Sequence, residues 1–288
     1  SLWVSDPVFP LLQSMLKTDK SIFGSLQRLL VCPSCHSDLS YTDNQLDCCQ
    51  CDNQYPVQHN IPLFAQPDKE VLEDDRADRK RYEWSYQSDA SAKNYEDSFD
   101  ESSYKKRRTK RELIILRTLL INQPRCDYLL DVPCGGGRLS HPLAQQTGIL
   151  IEADISPAQV LLAQEKEYQG TALEGLVLSA MELPFADNSV DGIACSRLSH
   201  HFPEPSDRQK LLTELLRVAG QFVILSFTDR RSIISLSRRL RGKPVNPCAM
   251  STTEITDIAA RNNAVVEQII SVSAFGSRHR YALIVPKS

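Results

Sequence analysis

Five cysteines crowd into positions 32 to 51 of the 288-residue chain, out of nine in all. Cys32-Pro33-Ser34-Cys35 and Cys48-Cys49-Gln50-Cys51 are two C-x2-C pairs separated by residues 36–47. Two tight turns that each present a pair of thiolates supply the four soft donors of a tetrahedral zinc site. Four-thiolate coordination leaves no open position, so Cys32, Cys35, Cys48 and Cys51 are expected to hold a structural Zn2+ rather than a catalytic one. Cys49 reads as a bystander, and His36 and His59 as surface residues. A core this short is expected to depend on its metal. An odd cysteine count clustered in this way does not fit a secreted disulfide framework. It fits metal thiolates in a reducing compartment, so a cytoplasmic protein is expected.

A second group, Asp131-Val132-Pro133-Cys134-Gly135-Gly136-Gly137-Arg138, stands between a strand pattern and a helix pattern. Glycines let the backbone pass close to a ligand, and a helix start offers free N–H groups, so a nucleotide-like ligand is expected here. The fit to a dinucleotide fingerprint is poor, because Ser140 stands at its third glycine. Glu152-Ala153-Asp154-Ile155-Ser156-Pro157 closes the next strand pattern, where an acid can accept from both ribose hydroxyls. Then follow Ser179-Ala180-Met181-Glu182-Leu183-Pro184-Phe185 and, later, Ala194-Cys195-Ser196-Arg197-Leu198-Ser199-His200-His201-Phe202.

These four blocks, in this order and spacing, resemble class I S-adenosylmethionine-dependent methyltransferases, and most of all the broad group that includes quinone-biosynthesis enzymes. The resemblance covers about 105–288. It implies S-adenosyl-L-methionine as cofactor, with Asp131 and the glycines Gly135, Gly136 and Gly137 at its methionine part. Pro133 stands where the family usually has its first glycine. The resemblance places Asp154 at the ribose and Ser179, Ala180 and Met181 around the adenine. Ile155 and Ser196 complete the expected cofactor set. Ser179 replaces a common Asp, and its hydroxyl can also accept a hydrogen bond. Residues 29–65, with Leu30-Val31 before the first knuckle and Tyr55-Pro56-Val57 and Ile61-Pro62-Leu63-Phe64 after the second, resemble short zinc ribbons found as partners of, or fusions to, methyltransferases.

Methyl transfer needs a nucleophile held in line with the methyl group. Arg197, His200 and His201 follow the fourth strand pattern, on the side where this architecture puts its substrate crevice, and either histidine could serve as a general base. Neither an Asn-Pro-Pro-Tyr motif nor a Pro-Cys nucleophile follows that strand, which argues against exocyclic-amine and cytosine-C5 methylation. Cys134 and Cys195 read as small buried residues. The expected function is therefore a methyltransferase acting on a small-molecule or lipid-like acceptor. The enzymatic alternative is an RNA-base methyltransferase, and the alternative from another class is a non-catalytic cofactor-binding scaffold. Arg230, Arg231, Arg238, Arg239, Arg241 and Lys243 form an acid-free run that could meet RNA or an anionic surface.

The elements that must position these groups follow from the apolar pattern. Strands are expected over 128–132, 149–153, 175–179, 192–195, 222–227, 265–272 and 281–285, and helices over 110–120, 156–168, 207–218 and 252–262. Ile233, Ile234, Leu236 and Leu240 recur at helical spacing among the arginines. The alternation predicts an α/β fold, a doubly wound, mostly parallel seven-stranded sheet, preceded by a small zinc ribbon. The resemblance implies that the last strand runs antiparallel. Four regions are expected: an N-terminal helical segment over 1–28, the ribbon over 29–65, a charged linker or lid over 66–104 carrying Tyr82, Trp84, Tyr86 and Tyr95, and the methyltransferase domain over 105–288. With 41% hydrophobic and 24% charged residues the chain is ordinary globular material. A formal net charge of −3 excludes a nucleic-acid binder that works by bulk charge. No apolar run approaches the ~20 residues of a transmembrane helix, and no signal peptide is expected.

Overall fold

The computed structural model describes residues 26–42, 44–65, 102–242, 244, 246–273 and 278–287. The expected N-terminal helical segment up to residue 25, the four linker aromatics and Lys243 lie outside the described residues.

A small antiparallel sheet comes first, with strands β1 (Leu39–Thr42), β2 (Gln45–Cys48), β3 (Gln54–Gln58) and β4 (Ile61–Pro62) in sequential order. Period-2 alternation turns Leu46, Tyr55 and Val57 inward beside the buried Cys32.

The larger sheet holds β5 (Cys126–Asp131), β6 (Thr147–Asp154), β7 (Ala172–Val177), β8 (Val190–Cys195), β9 (Ala219–Thr228), β10 (Ala264–Ser271) and β11 (His279–Pro286). Its order is β10-β11-β9-β8-β5-β6-β7, and β11 runs antiparallel to both of its neighbours while the remaining pairs are parallel. This is the expected seven-stranded, doubly wound sheet. The helices are α1 (Ser103–Leu120), α2 (Ser140–Ala144), α3 (Pro157–Gln164), α4 (Pro205–Val218), α5 (Ile233–Leu240) and α6 (Thr252–Arg261).

Successive strand residues feed opposite faces, which is why the parallel strands read as unbroken apolar runs. Leu129, Leu150 and Ile224 pack with Leu116, Leu119 and Leu120 of α1 on one face. Leu130, Ile151, Val223 and Leu225 pack with Leu211, Leu212 and Leu215 of α4 and Ile255 of α6 on the other. That second core runs without a break into Leu26, Leu30, Leu46 and Val57, so the small sheet and the large one share apolar material.

Some boundaries differ from the apolar pattern. Helix α1 starts at Ser103 rather than Lys110, because the Ser102 hydroxyl accepts from the Lys105 N–H and caps it. Helix α3 starts as expected, with the Ser156 hydroxyl accepting from the Gln159 N–H and Pro157 in the first turn, but it ends at Gln164. The third strand spans 172–177, so Ser179 lies beyond it in the following loop. Helix α2 and the 3-10 turn Ser199–His201 carry too little periodicity to be seen in the sequence. Among the described residues no helix is long and apolar enough to cross a membrane.

Candidate functional site

Each knuckle turn brings its two thiols to one point. The Sγ atoms of Cys32, Cys35, Cys48 and Cys51 all lie within 4.8 Å of one another. Cys32–Cys51, Cys35–Cys51 and Cys35–Cys48 stand 3.7, 3.6 and 3.4 Å apart. A tetrahedron with metal–sulfur bonds of about 2.3 Å has edges of about 3.8 Å, so the four donors fit a zinc ion. The Gln50 and Cys51 N–H groups donate to Cys48 Sγ at 3.4 and 3.3 Å, and these bonds hold the Cys48 thiol below its usual pKa. Burial pushes Cys32 up, but the Tyr55 hydroxyl and the Cys35 and Ser34 backbone outweigh it and bring the thiol to about 6. Thiolate is the ligating form. Cys49 is exposed and outside the cluster, and His36 and His59 are exposed turn residues with φ of 58° and 51°.

The second constellation stands where β5 ends. Successive strands are added to one side of β5 as β6 and β7 and to its other side as β8 and β9, and the switch point between β5 and β8 opens a crevice at the carboxyl ends of the strands. Gly135 and Gly137 have φ of 54° and 72°, conformations that side-chain-bearing residues avoid. A Cβ at Gly137 would sit 3.1 Å from Glu152 Oε1 and 3.2 Å from Lys166 Nζ. Asp154 fixes the turn: its Oδ2 accepts from the Gly135 N–H and its Oδ1 from the Ser156 N–H, both at 3.0 Å. Asp131 is buried and accepts from the Ser140 hydroxyl at 3.2 Å. Burial first, and then the neighbouring charges of Glu152 and Asp154, raises the Asp131 pKa well above the carboxylate range. Burial likewise raises Glu152, whose Oε1 has no hydrogen-bond partner among the described residues. Three acidic side chains thus ring a strip of bare backbone, and because burial raises two of them, the site favours a positively charged ligand that would draw them back to the ionised form. An ammonium and a sulfonium meet that requirement, so the residues present fit S-adenosylmethionine.

The remaining candidates flank this turn. Pro133 follows Val132 through a cis peptide bond. Ser179 lies one residue beyond the Leu178 N–H that donates to Asp154 O, and its hydroxyl accepts from the Met181 N–H at 3.3 Å. Ala180 is buried, Met181 is half-buried, and Ser196 is buried just past β8. Cys134 and Cys195 are buried, and burial raises both thiols, as expected of packing residues.

Arg197, at φ 61°, grips Glu112 of α1 with two bonds, NH2 to Oε2 at 2.6 Å and Nε to Oε1 at 3.2 Å. Arg108 and Arg138 reach the same carboxylate at 3.2 and 3.4 Å. Burial alone would raise the Glu112 pKa, but Arg197, Arg108 and Arg138 together hold it below the usual value. The His200 and His201 rings lie 4.1 Å apart, and His279, at the start of β11, approaches His200 at 6.3 Å. Burial lowers all three imidazoles, His200 to about 3 and His201 and His279 to about 4, so they are neutral at pH 7. Glu112 and His279 are absent from the candidates drawn from sequence. Glu112 is the sole acid in the run 105–112 and lies four residues after Arg108, a signal that the basic composition masked. His279 offers no local signal, because only the antiparallel return of β11 brings it to the mouth.

Residues 130–224 match a family model described as a methyltransferase domain. Over 123 residues the chain is 29% identical to a ubiquinone biosynthesis O-methyltransferase of Xylella fastidiosa, covering 36% of this chain and 48% of that protein. It is 29% identical over 136 residues to the demethylmenaquinone methyltransferase of Bacillus licheniformis, covering 46% and 57%. The chain therefore spans about half the length of the curated relatives it matches. In structure it resembles the magnesium protoporphyrin IX methyltransferase of Synechocystis with bound S-adenosylhomocysteine, at TM-score 0.52 and 20% identity over 65% of this chain and 88% of that one. The fold is that of the class I S-adenosylmethionine-dependent methyltransferases.

Proposed function

We propose that the chain is an S-adenosylmethionine-dependent methyltransferase that methylates a small, lipid-like acceptor and carries a structural zinc. The observation that supports it most is the acid-ringed glycine turn, Gly135 and Gly137 beside Asp131, Glu152 and Asp154. The relatives' names, a ubiquinone O-methyltransferase and a demethylmenaquinone methyltransferase, support the acceptor class.

When bound, the cofactor supplies an electrophilic methyl group. This chain's part is to hold and orient. The backbone of Gly135, Gly136 and Gly137 would hold the methionine part, with Pro133 setting the entry to the turn and Asp131 available to its ammonium. Asp154 would accept from the ribose hydroxyls, with Ile155 beside it. Ser179, Ala180 and Met181 would bracket the adenine, and Ser196 would close the crevice beside β8. Arg197, clamped by Glu112, fixes the loop that carries His200 and His201. An imidazole whose pKa is about 4 is almost wholly neutral at pH 7. Neutral His200 or His201 would therefore orient the acceptor's nucleophilic atom by accepting its hydrogen bond, and that one imidazole would be the group to take up its proton. The four cysteines would hold Zn2+ and keep the ribbon folded.

Incubation with labelled S-adenosylmethionine and a panel of catechol- and quinol-type lipids, with ribosomal RNA alongside, tests the acceptor class. Label in the lipid fraction supports the proposal. Label in RNA alone would replace the acceptor with a nucleic acid, and label in neither, from chain that binds the cofactor, would favour a non-catalytic scaffold. Elemental analysis of fresh protein should find one zinc per chain, retained by Cys49→Ser and lost by Cys48→Ser.

A further inference from the structure

Helix α5 is built inside out. A surface helix normally turns its apolar side chains to the core and its polar ones to water. Here the residues turned inward are serines. The Ser232 hydroxyl caps the helix by accepting from the Ser235 N–H and donates to Ser235 Oγ at 2.8 Å, and Ser235 Oγ donates to the Asp229 carbonyl at 3.0 Å. Both serines are buried. The side chains left in solvent are Ile233, Leu236 and Leu240, exposed by 75, 54 and 81%, with Ile234 beside them at 40%. The first three follow the i, i+3, i+7 stripe of one helix face.

The cations divide. Arg230 is turned toward the body, where its Nε and NH2 donate to the Ala249 carbonyl at 3.0 and 2.7 Å, so it does not belong to an exposed cationic run. Arg231, Arg238, Arg239 and Arg241 are exposed around the apolar stripe. No acidic residue occurs between positions 230 and 242. The helix follows the carboxyl end of β9, which is parallel to β8, so it stands at the end of the sheet that carries the glycine turn and the His200–His201 loop.

We propose that α5 is an interfacial helix that seats on an anionic lipid bilayer, with Ile233, Leu236 and Leu240 entering the acyl boundary and Arg231, Arg238, Arg239 and Arg241 meeting the headgroup phosphates. Only this occupant uses both halves of the surface. RNA would satisfy the arginines and leave four aliphatic side chains in water. A second copy paired through the same patch would set arginine against arginine, across an apolar stripe too short for a stable dimer. A bilayer takes apolar side chains and pairs cations with phosphate at the same depth. The purpose assigned to the contact, presenting the crevice to an acceptor dissolved in the membrane, rests on the lipid-like acceptor proposed above. The contact itself does not.

Flotation of the full chain, without cofactor or acceptor, on vesicles of phosphatidylglycerol and phosphatidylcholine in equal parts tests it. The parent should float with these vesicles, stay behind with pure phosphatidylcholine, and bind less as salt rises. The triple variant Arg238→Gln, Arg239→Gln, Arg241→Gln should partition about a hundredfold more weakly, since each arginine near the surface contributes several-fold. Leu236→Ser with Leu240→Ser should also lose flotation while keeping every charge. These substitutions lie on solvent-exposed positions, and unchanged cofactor affinity in each variant confirms an intact domain. A parent that never floats, or flotation that needs the arginines and ignores the leucine variants, overturns the proposal. So does RNA retention, or self-association, that accounts for the arginine dependence without vesicles. Failure here with cofactor binding intact leaves the methyltransferase reading standing.

Discussion

The Phe64 backbone N–H donates to the Val177 carbonyl at 2.7 Å, joining the tail of the thiolate-bearing sheet to the last residue of β7. The Ala65 N–H reaches the same carbonyl at 3.2 Å. Farther along, the Val31 N–H donates to Pro184 O and the Ala186 N–H to Leu29 O, both at 3.0 Å. The stretch from Val177 to Ala186, which contains Ser179, Ala180 and Met181, is therefore held at both ends by residues flanking the cysteine cluster. Ile61 and Leu63 also pack with Cys134 of the glycine turn.

Metal removal should for this reason reach the cofactor crevice. Chelation that strips the proposed zinc from the four cysteines is expected to weaken S-adenosylhomocysteine binding at least about tenfold, or ~1.4 kcal/mol, by freeing the loop proposed to bracket the adenine. Calorimetry before chelation, after it, and after zinc is restored reads this directly. Equal affinity in all three states would make the ribbon a separate appendage.

The buried Glu112 carboxylate neutralises a crowd of arginines that would otherwise repel one another. Glu112→Gln should lower unfolding stability by about 3 kcal/mol, the usual scale for removing one partner of a buried ion pair. Arg108→Gln, at the most solvent-exposed of the three arginines, should cost about 1 kcal/mol or less. Urea denaturation of both variants decides it, and equal losses would show that Glu112 is not the hub.

The lowered histidines set the sign of an acid effect. His200 is neutral in the folded chain down to about pH 3, whereas an unfolded chain protonates it near its ordinary value of 6.5. The unfolded state therefore binds more protons between those limits, and stability falls as pH drops through that window. Between pH 6.5 and 5 the loss from His200 alone is about 2 kcal/mol at most. Buried Asp131 and Glu152, with raised pKa values, act in the opposite sense, so the difference between parent and His200→Gln is the quantity to follow. That difference should shrink toward pH 5, and a constant offset would mean the imidazole is solvated.

Much of the large sheet could be read from sequence because each parallel strand is buried on both faces and so appears as a short unbroken apolar run. Leu129 and Leu130, or Leu150 and Ile151, need no alternation to announce a strand. The cysteine pairs were legible because two tight turns at fixed spacing leave the thiols little choice but to converge. What escaped were contacts made between distant segments. Arg208 looks like an ordinary surface arginine of α4, yet it is buried and donates to the Phe202, Pro203 and Pro247 carbonyls while pairing with Glu254. His279 reaches the mouth through strand pairing with Thr228, and Glu112 gains its meaning from Arg138 and Arg197, 26 and 85 residues away. The outward face of α5 was visible as periodicity, but not its direction, since period alone cannot say which side meets the core.

Calorimetric titration of the full chain with S-adenosylhomocysteine bears most directly on the glycine turn as a cofactor cradle. The parent should bind one equivalent saturably. Asp154→Ala should bind ~1–3 kcal/mol more weakly, because the ribose hydroxyls and the turn both lose a charged acceptor. Gly135→Val should not bind, since a branched side chain cannot adopt the positive φ and fills the cradle. A folded parent that gives no saturable heat, or an Asp154→Ala variant with parental affinity, would contradict the assignment of the cofactor to this turn.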